Sequence, residues 1–216
     1  MNARTSLAAL LCLAALAFGG CTTTHPYDYS NFRAHPPRSI LILPPLNEST
    51  VVEGTYGYLS TVSRPVAELG YYVFPVEEVD HFFKENGMPT AGEMHQAPLN
   101  RIREVTGADA VLLVTLEQYG SHYHVLNSTT VVKVRAQLLD THTQVLLWEG
   151  HGEAEQTGSG SGNLLADLIA AAVVQAINSK TDSAHQVSRL ANANLFLAKD
   201  AGLPYGPYSP QYNRAP

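Results

Sequence analysis

An apolar run from Leu7 to Phe18 ends in Gly19-Gly20-Cys21, with Arg4 the sole charged side chain before it. That is the layout of a bacterial signal peptide, with small residues at the cleavage point. A cysteine directly after the small pair marks a lipobox, in which Cys21 is acylated and becomes the new amino terminus. Lipoboxes usually carry Leu, Val or Ile three residues before the cysteine; Phe18 stands there. The run is shorter than the ~20 apolar residues that a membrane-spanning helix needs. The consequence for folding is direct. Cys12 leaves with the leader and Cys21 is taken by lipid, so neither of the two cysteines can close a disulfide. The domain has to be held by burial.

Loss of Arg4 with the leader leaves 12 Lys and Arg against 19 Asp and Glu, a formal charge of −7. A mildly acidic chain without a basic run argues against nucleic acid, whose binding depends on clustered cations. It argues equally against a polybasic membrane patch, so the amino-terminal lipid is the expected membrane partner. Thr22 after the cysteine is not the Asp that retains lipoproteins at the inner membrane. The expected location is therefore the outer membrane, facing the periplasm.

The expected organisation is a leader over residues 1–20, a tether over 21–38, one α/β domain over 39–202 and a Tyr/Pro-rich tail over 203–216. Ser39 to Leu43 reads as a buried strand stopped by Pro44-Pro45. Thr55 to Leu69 reads as a helix in which Pro65 imposes a kink or restart near Ser63. Tyr71 to Val76 reads as a strand, Glu77 to Asn86 as a helix, and Pro98 as the start of another helix that Gly107 ends. Ala110 to Leu126, Thr130 to Leu139 and Gln144 to Glu155 form a meander, with Val132, Val134, Ala136 and Leu138 facing inward. Behind a Gly158–Gly162 loop, Asn163 caps a nearly all-apolar helix over Leu164 to Ile177. Asp182 caps a last amphipathic helix ending near Gly202. The fold class is α/β: a mixed sheet of about five strands flanked by helices.

Chemistry is harder to find. His122 and His124 share one strand face and could chelate an ion with His142, His151 or Glu117, but a polar strand edge explains them more simply. The glycine loop lacks the Lys-Ser/Thr ending of a P-loop, and Ser159 within it lacks the strand that presents a nucleophile. Glu77-Glu78 and Glu153/Glu155 read as solvated faces. No catalytic residue, metal ligand or cofactor is expected, and the chain does not read as an enzyme. The eleven tyrosines suit interfaces better than catalysis, those of the tail above all. The tail and the Leu164–Ile177 helix are the expected partner surface.

Several phrases resemble a domain-of-unknown-function family of small bacterial lipoproteins. They are Gly70-Tyr71-Tyr72-Val73-Phe74-Pro75-Val76, Phe83-Lys84-Glu85-Asn86-Gly87, Glu93-Met94-His95, Gly107-Ala108-Asp109-Ala110-Val111-Leu112 and Leu203-Pro204-Tyr205-Gly206-Pro207-Tyr208. More loosely, the stretch from Gly107 to Leu112, with Ala136 to Asp140 and Val145 to Glu149, is similar to the TolB amino-terminal domain and the curli-export pore lipoprotein. Gln144 departs from that pattern, which usually has Gly in the turn. The resemblance implies an outer-membrane lipoprotein with a TolB-amino-terminal-like domain that self-associates as a homo-oligomer. It also implies the setting of an accessory subunit beside a curli-export-like lipoprotein or other envelope protein. The one residue it carries over is the acylated Cys21. The competing reading is a lipoprotein that binds a periplasmic small molecule or glycan in a tyrosine-lined cleft.

Overall fold

The computed structural model describes residues 27–123, 128–158 and 180–212. Its centre is a six-stranded mixed sheet. β1 (Ser39–Ile42) lies between β3 (Tyr72–Val73) and β4 (Ala110–Tyr123), parallel to both. The two-residue β2 (Leu46–Asn47) continues alongside β4, also in parallel. From β4 the sheet turns antiparallel through β5 (Ser128–Asp140) to β6 (Leu146–Gly158). Every residue from Ile40 to Leu43 is fully buried, as a central strand covered on both faces must be.

Alternation along β1 and β4 feeds two cores. Ile40, Ile42, Leu112, Val114 and Leu116 face the larger one, with the inward row of β5 and helices α2 (Gly54–Glu68) and α6 (Lys180–Phe196). Leu41, Leu43 and Val111 face the smaller one, beneath α3 (Val76–Glu85), α4 (Ala91–His95) and α5 (Leu99–Thr106). The expected inward row Val132, Val134, Ala136, Leu138 is fully buried. Trp148 pairs with Leu138 and Leu146 with Leu139, so Leu147 is an extra residue in a bulge. That bulge lets two consecutive side chains, Leu147 and Trp148, both enter the core.

Pro65 brings no restart: α2 runs unbroken from Gly54 to Glu68. A proline lacks the N–H that would bond to the carbonyl four residues back, here Thr61 O. Asn192 of α6 supplies the missing donor, its Nδ2 lying 3.2 Å from Thr61 O and 3.0 Å from Thr61 Oγ1. The second strand is shorter than expected. It stops at Val73 because Pro75 has no donor, and α3 starts at Val76 with Glu77 and Glu78 in its first turn. Helix α4 went unread in the sequence although Thr90 and Glu93 make a complete capping box. Helix α5 ends on Gly107 at φ 73°, the left-handed stop expected of it. Asp182 lies inside α6 rather than at its cap, and α6 ends at Phe196 rather than near Gly202. The expected Leu164–Ile177 helix and the glycine loop after Gly158 lie outside the described residues.

Both ends of the domain are fastened. Within the segment expected as tether, α1 (Ser30–Ala34) buries Phe32. Tyr29 donates to Gly202 O at 2.6 Å, and Tyr27 Oη accepts from Glu149 N at 2.8 Å. The described part of the tail, through Tyr212, forms no helix or strand but is not loose: Gly206 N donates to Leu69 O and Tyr208 N to Gly70 O. Gly70, at φ +93°, leaves no room for a Cβ beside Ser209.

Gly152 is where α6 touches β6. A Cβ there would run into Ala191 O and stand 2.6 Å from Leu195 Cβ. Gly152→Val should therefore destabilise the domain by about 3 kcal/mol or more, since the helix must lift off the sheet. Urea unfolding measures this, and a midpoint equal to that of the parent would contradict the packing.

Candidate functional site

The sequence candidates for metal binding do not converge. His122 pairs with Thr129 at one end of the meander, whereas His142 follows Asp140 at the other. Eleven residues of strand, about 36 Å, separate the two levels. His124 lies outside the described residues. Glu117 is the extra residue of a second bulge and ion-pairs with Arg135 at 3.4 Å, while His151 lies opposite Arg135 on β6. Among the described residues no group of three His, Cys, Asp or Glu could hold an ion. Glu153 pairs with Lys133 at 3.1 Å across the same strands, a cross-strand contact on a solvated face.

Buried and half-buried polar groups have structural work. The Asp109 carboxylate accepts from Arg38 N (3.0 Å), Ser39 N (3.1 Å) and Ser39 Oγ (3.0 Å), fixing the start of β1. Thr141 Oγ1 donates to the carbonyl of Ala108, and Arg103 stands 3.8 Å from Asp109. The phrase Gly107 to Leu112, which carried much of the resemblance, is thus a brace between β1, α5 and the β5–β6 turn. In that turn Asp140 Oδ1 accepts from His142 N, Thr143 N and Thr143 Oγ1.

His95 and Asp140 make the fold sensitive to acid. Burial pushes the His95 pKa below the ordinary histidine value, against the opposing effect of its 2.9 Å contact with Pro44 O. Burial raises the pKa of Asp140, but the Thr143 and His142 hydrogen bonds outweigh it and hold the carboxyl below its usual range. In both cases the unfolded chain takes up the proton more readily than the folded one. Stability is therefore full above the unfolded pKa and falls as pH drops, first below about 6.5 for His95 and again below about 4 for Asp140. Urea midpoints measured from pH 8 down to pH 5 should show the first decline. His95→Gln, which keeps a donor for Pro44 O, should flatten it; an unchanged slope would contradict the assignment.

The tyrosines divide sharply. Tyr29, Tyr58, Tyr71 and Tyr119 are buried, and burial pushes the Tyr29 phenol up to about 12. Tyr56, Tyr72, Tyr208 and Tyr212 are exposed. Tyr72 packs edge-on against Phe74 at 5.1 Å, beside two open hollows of about 190 and 440 Å³. Phe74 and Pro75 line both, with Phe82 and Phe83 in the smaller and Arg64 and Glu77 in the larger. Neither is lined by tyrosine. The side chains at the expected partner helix and at Cys21 lie outside the described residues, and no described helix is long and apolar enough to cross a membrane.

What the described residues define is a mixed-sheet α/β domain, fastened at both ends, whose buried polar groups brace its own strands and helices. Residues 27–208 match the family described as "Putative lipoprotein GNA1162-like". A curated relative from Neisseria meningitidis serogroup B, described as "Putative lipoprotein NMB1124/NMB1162", is 40% identical over 185 residues, covering 84% of this chain and 86% of its own length. The crystal structure of lipoprotein GNA1162 from Neisseria meningitidis is similar over 66% of this chain and all of that one, at 42% identity and a TM-score of 0.54. The carboxy-terminal domain of LpoB from Salmonella enterica overlaps more loosely, over 55% of this chain and 83% of its own, at 16% identity and a TM-score of 0.42. The chain belongs to the GNA1162-like lipoprotein family. The matched range begins at Tyr27 and ends at Tyr208, the two segments that the fold fastens down.

Proposed function

We propose that the chain is a non-enzymatic outer-membrane lipoprotein, acylated at Cys21. In this reading it serves as an accessory or assembly subunit of an envelope export or cell-surface complex. The observation that carries this is membership of a lipoprotein family over residues 27–208; the sequence before that range reads as a signal peptide followed by a lipobox cysteine. Residues 21–26 are the reach between lipid and clasp. Confinement to a surface raises effective concentration, so weak contacts with a second envelope protein become productive. The proposed partner is a curli-export-like lipoprotein or another envelope protein, met by a homo-oligomer of this chain. The exposed Tyr72, Tyr208 and Tyr212 suit such contacts, because a tyrosine offers a large ring with a polar tip. The phenylalanine lining of both hollows favours this reading over a tyrosine-lined glycan cleft.

Metabolic labelling with palmitate tests the anchor. Label should appear on the wild-type chain and vanish in Cys21→Ser, with that variant released from the membrane fraction. A Cys21→Ser chain that is still labelled would contradict the assignment of the modified residue.

A further inference from the structure

The clasp fixes the point at which the chain leaves the domain toward Cys21. Tyr27 is held to β6 through Glu149 N, and the Tyr27 and Tyr29 rings stand 4.7 Å apart. Tyr29 is bonded to Gly202, in the loop that follows α6. Cys21 and Tyr27 are six positions apart, which fully extended span at most about 22 Å. The meander is twice as long, since 13 residues of β5 extend about 44 Å. A lipid on Cys21 therefore brings the clasp end of the domain to the bilayer, with the Tyr123/Ser128 end of the meander held away.

At the clasp end α6 shows an unusual outer side. Val187, Ala191 and Leu195 face the core, whereas Leu190 and Leu197 are 54% and 61% exposed. These two are seven residues apart, hence on one side of the helix, and Leu197 N still bonds to Ala193 O at 2.9 Å. Gly202, to which Tyr29 is bonded, is packed against Ala198, the next residue. Exposed Arg189 and Lys199 flank the two leucines. Arg33 is also exposed on this end, with Asp28, Glu149 and Asp200 as acidic groups there. An exposed apolar stripe edged by cations is the pattern of a helix lying in a membrane interface. It stands out in a chain whose formal charge is −6.

We propose that the outer stripe of α6, Leu190 and Leu197 between Arg189 and Lys199, rests on the headgroup layer of the membrane that holds the chain's own lipid. This rests on the acylation of Cys21 proposed above. The lipid supplies the anchoring strength, and the stripe sets the orientation. The result is a domain docked on its α6 side, presenting Val52 and the far end of the meander to the compartment.

The test uses the full lipidated chain in vesicles of phosphatidylethanolamine and phosphatidylglycerol. Leu197→Cys, Leu190→Cys and, as a distal control, Val52→Cys (85% exposed) each place one free thiol, because the sulfur of Cys21 carries lipid. The thiols are labelled with an environment-sensitive fluorophore, and lipids spin-labelled near the headgroup act as quenchers. Probes at 197 and 190 should shift to the blue and be quenched several-fold more than the probe at 52. Equal, weak quenching at all three positions would overturn the proposal. So would a blue shift at 197 and 190 without quenching by lipid, which assigns the stripe to a second copy or another protein. Failure of the Cys21 reading shows itself separately, as a chain that lacks acyl mass and does not float with vesicles, and it would remove the proposal as well.

Discussion

Trp148→Ala should cost the domain about 3–5 kcal/mol, the range for deleting a large buried aromatic. Trp148 is fully buried at the point where three parts of the fold meet. It comes from β6, stacks on Phe196 of α6 with ring centroids 5.8 Å apart, and donates from Nε1 to Ala201 O at 2.9 Å. Ala201 precedes Gly202, the acceptor of the Tyr29 hydroxyl. Loss of the indole therefore empties the larger core and frees the loop that holds the amino-terminal clasp. Trp148→Phe keeps one six-membered ring and loses the Nε1 bond and part of the buried volume, so it should cost less, about 2–3 kcal/mol. Urea unfolding followed by circular dichroism measures both. If the alanine variant were as stable as the phenylalanine variant, the indole would not hold the place assigned to it.

Asn192→Ala should be nearly as severe as Trp148→Ala, and for a different reason. The Tyr58 hydroxyl donates to Asn192 Oδ1, and Asn192 Nδ2 donates to both oxygens of Thr61. Tyr58 and Asn192 are buried, so the truncation strands a phenol and a carbonyl at once. Each unsatisfied buried group costs about 1–3 kcal/mol, and water has little access to replace the amide. Burial alone pushes the Tyr58 phenol strongly upward, so ionisation offers no escape. The decisive measurement is a double-mutant cycle. Tyr58→Phe in the Asn192→Ala background removes one stranded group and should recover part of the loss. A Tyr58→Phe cost that is the same in both backgrounds would mean that the two side chains act independently.

That network shows why part of the fold could be read in the sequence and part could not. Periodicity disclosed the inward row of β5, the buried run from Ile40 to Leu43 and the glycine stop of α5, because each is a local pattern with one physical meaning. Pro65 pointed to a break in α2 because the sequence shows the missing donor but not its replacement from α6, 127 residues later in the chain. The carbonyl of Thr61 was nevertheless a legible demand: a proline inside a helix requires some partner four residues back. The Thr90–Glu93 capping box is equally legible, although it stands beside the stronger helix signal of Pro98. Tyr27, Tyr29 and Phe32 lacked a period because α1 is too short to show one. Their burial comes from long-range contacts with β6 and Gly202. For the candidate site the sequence offered His142 as a distant third ligand for His122, and could not show that the two lie at opposite ends of the meander. Which tyrosines are exposed could not be read, because that depends on how the tail folds back over Gly70.

The central claim is a lipid-anchored subunit that works by contact with other envelope proteins. Crosslinking in intact cells, extraction of the native chain from the membrane and mass spectrometry of bait and captured protein test it in one experiment. The account predicts an acylated amino-terminal Cys21 on the bait, together with a second envelope protein of export type linked to the domain. An acylated bait linked only to itself, or a bait with unmodified Cys21, would contradict it.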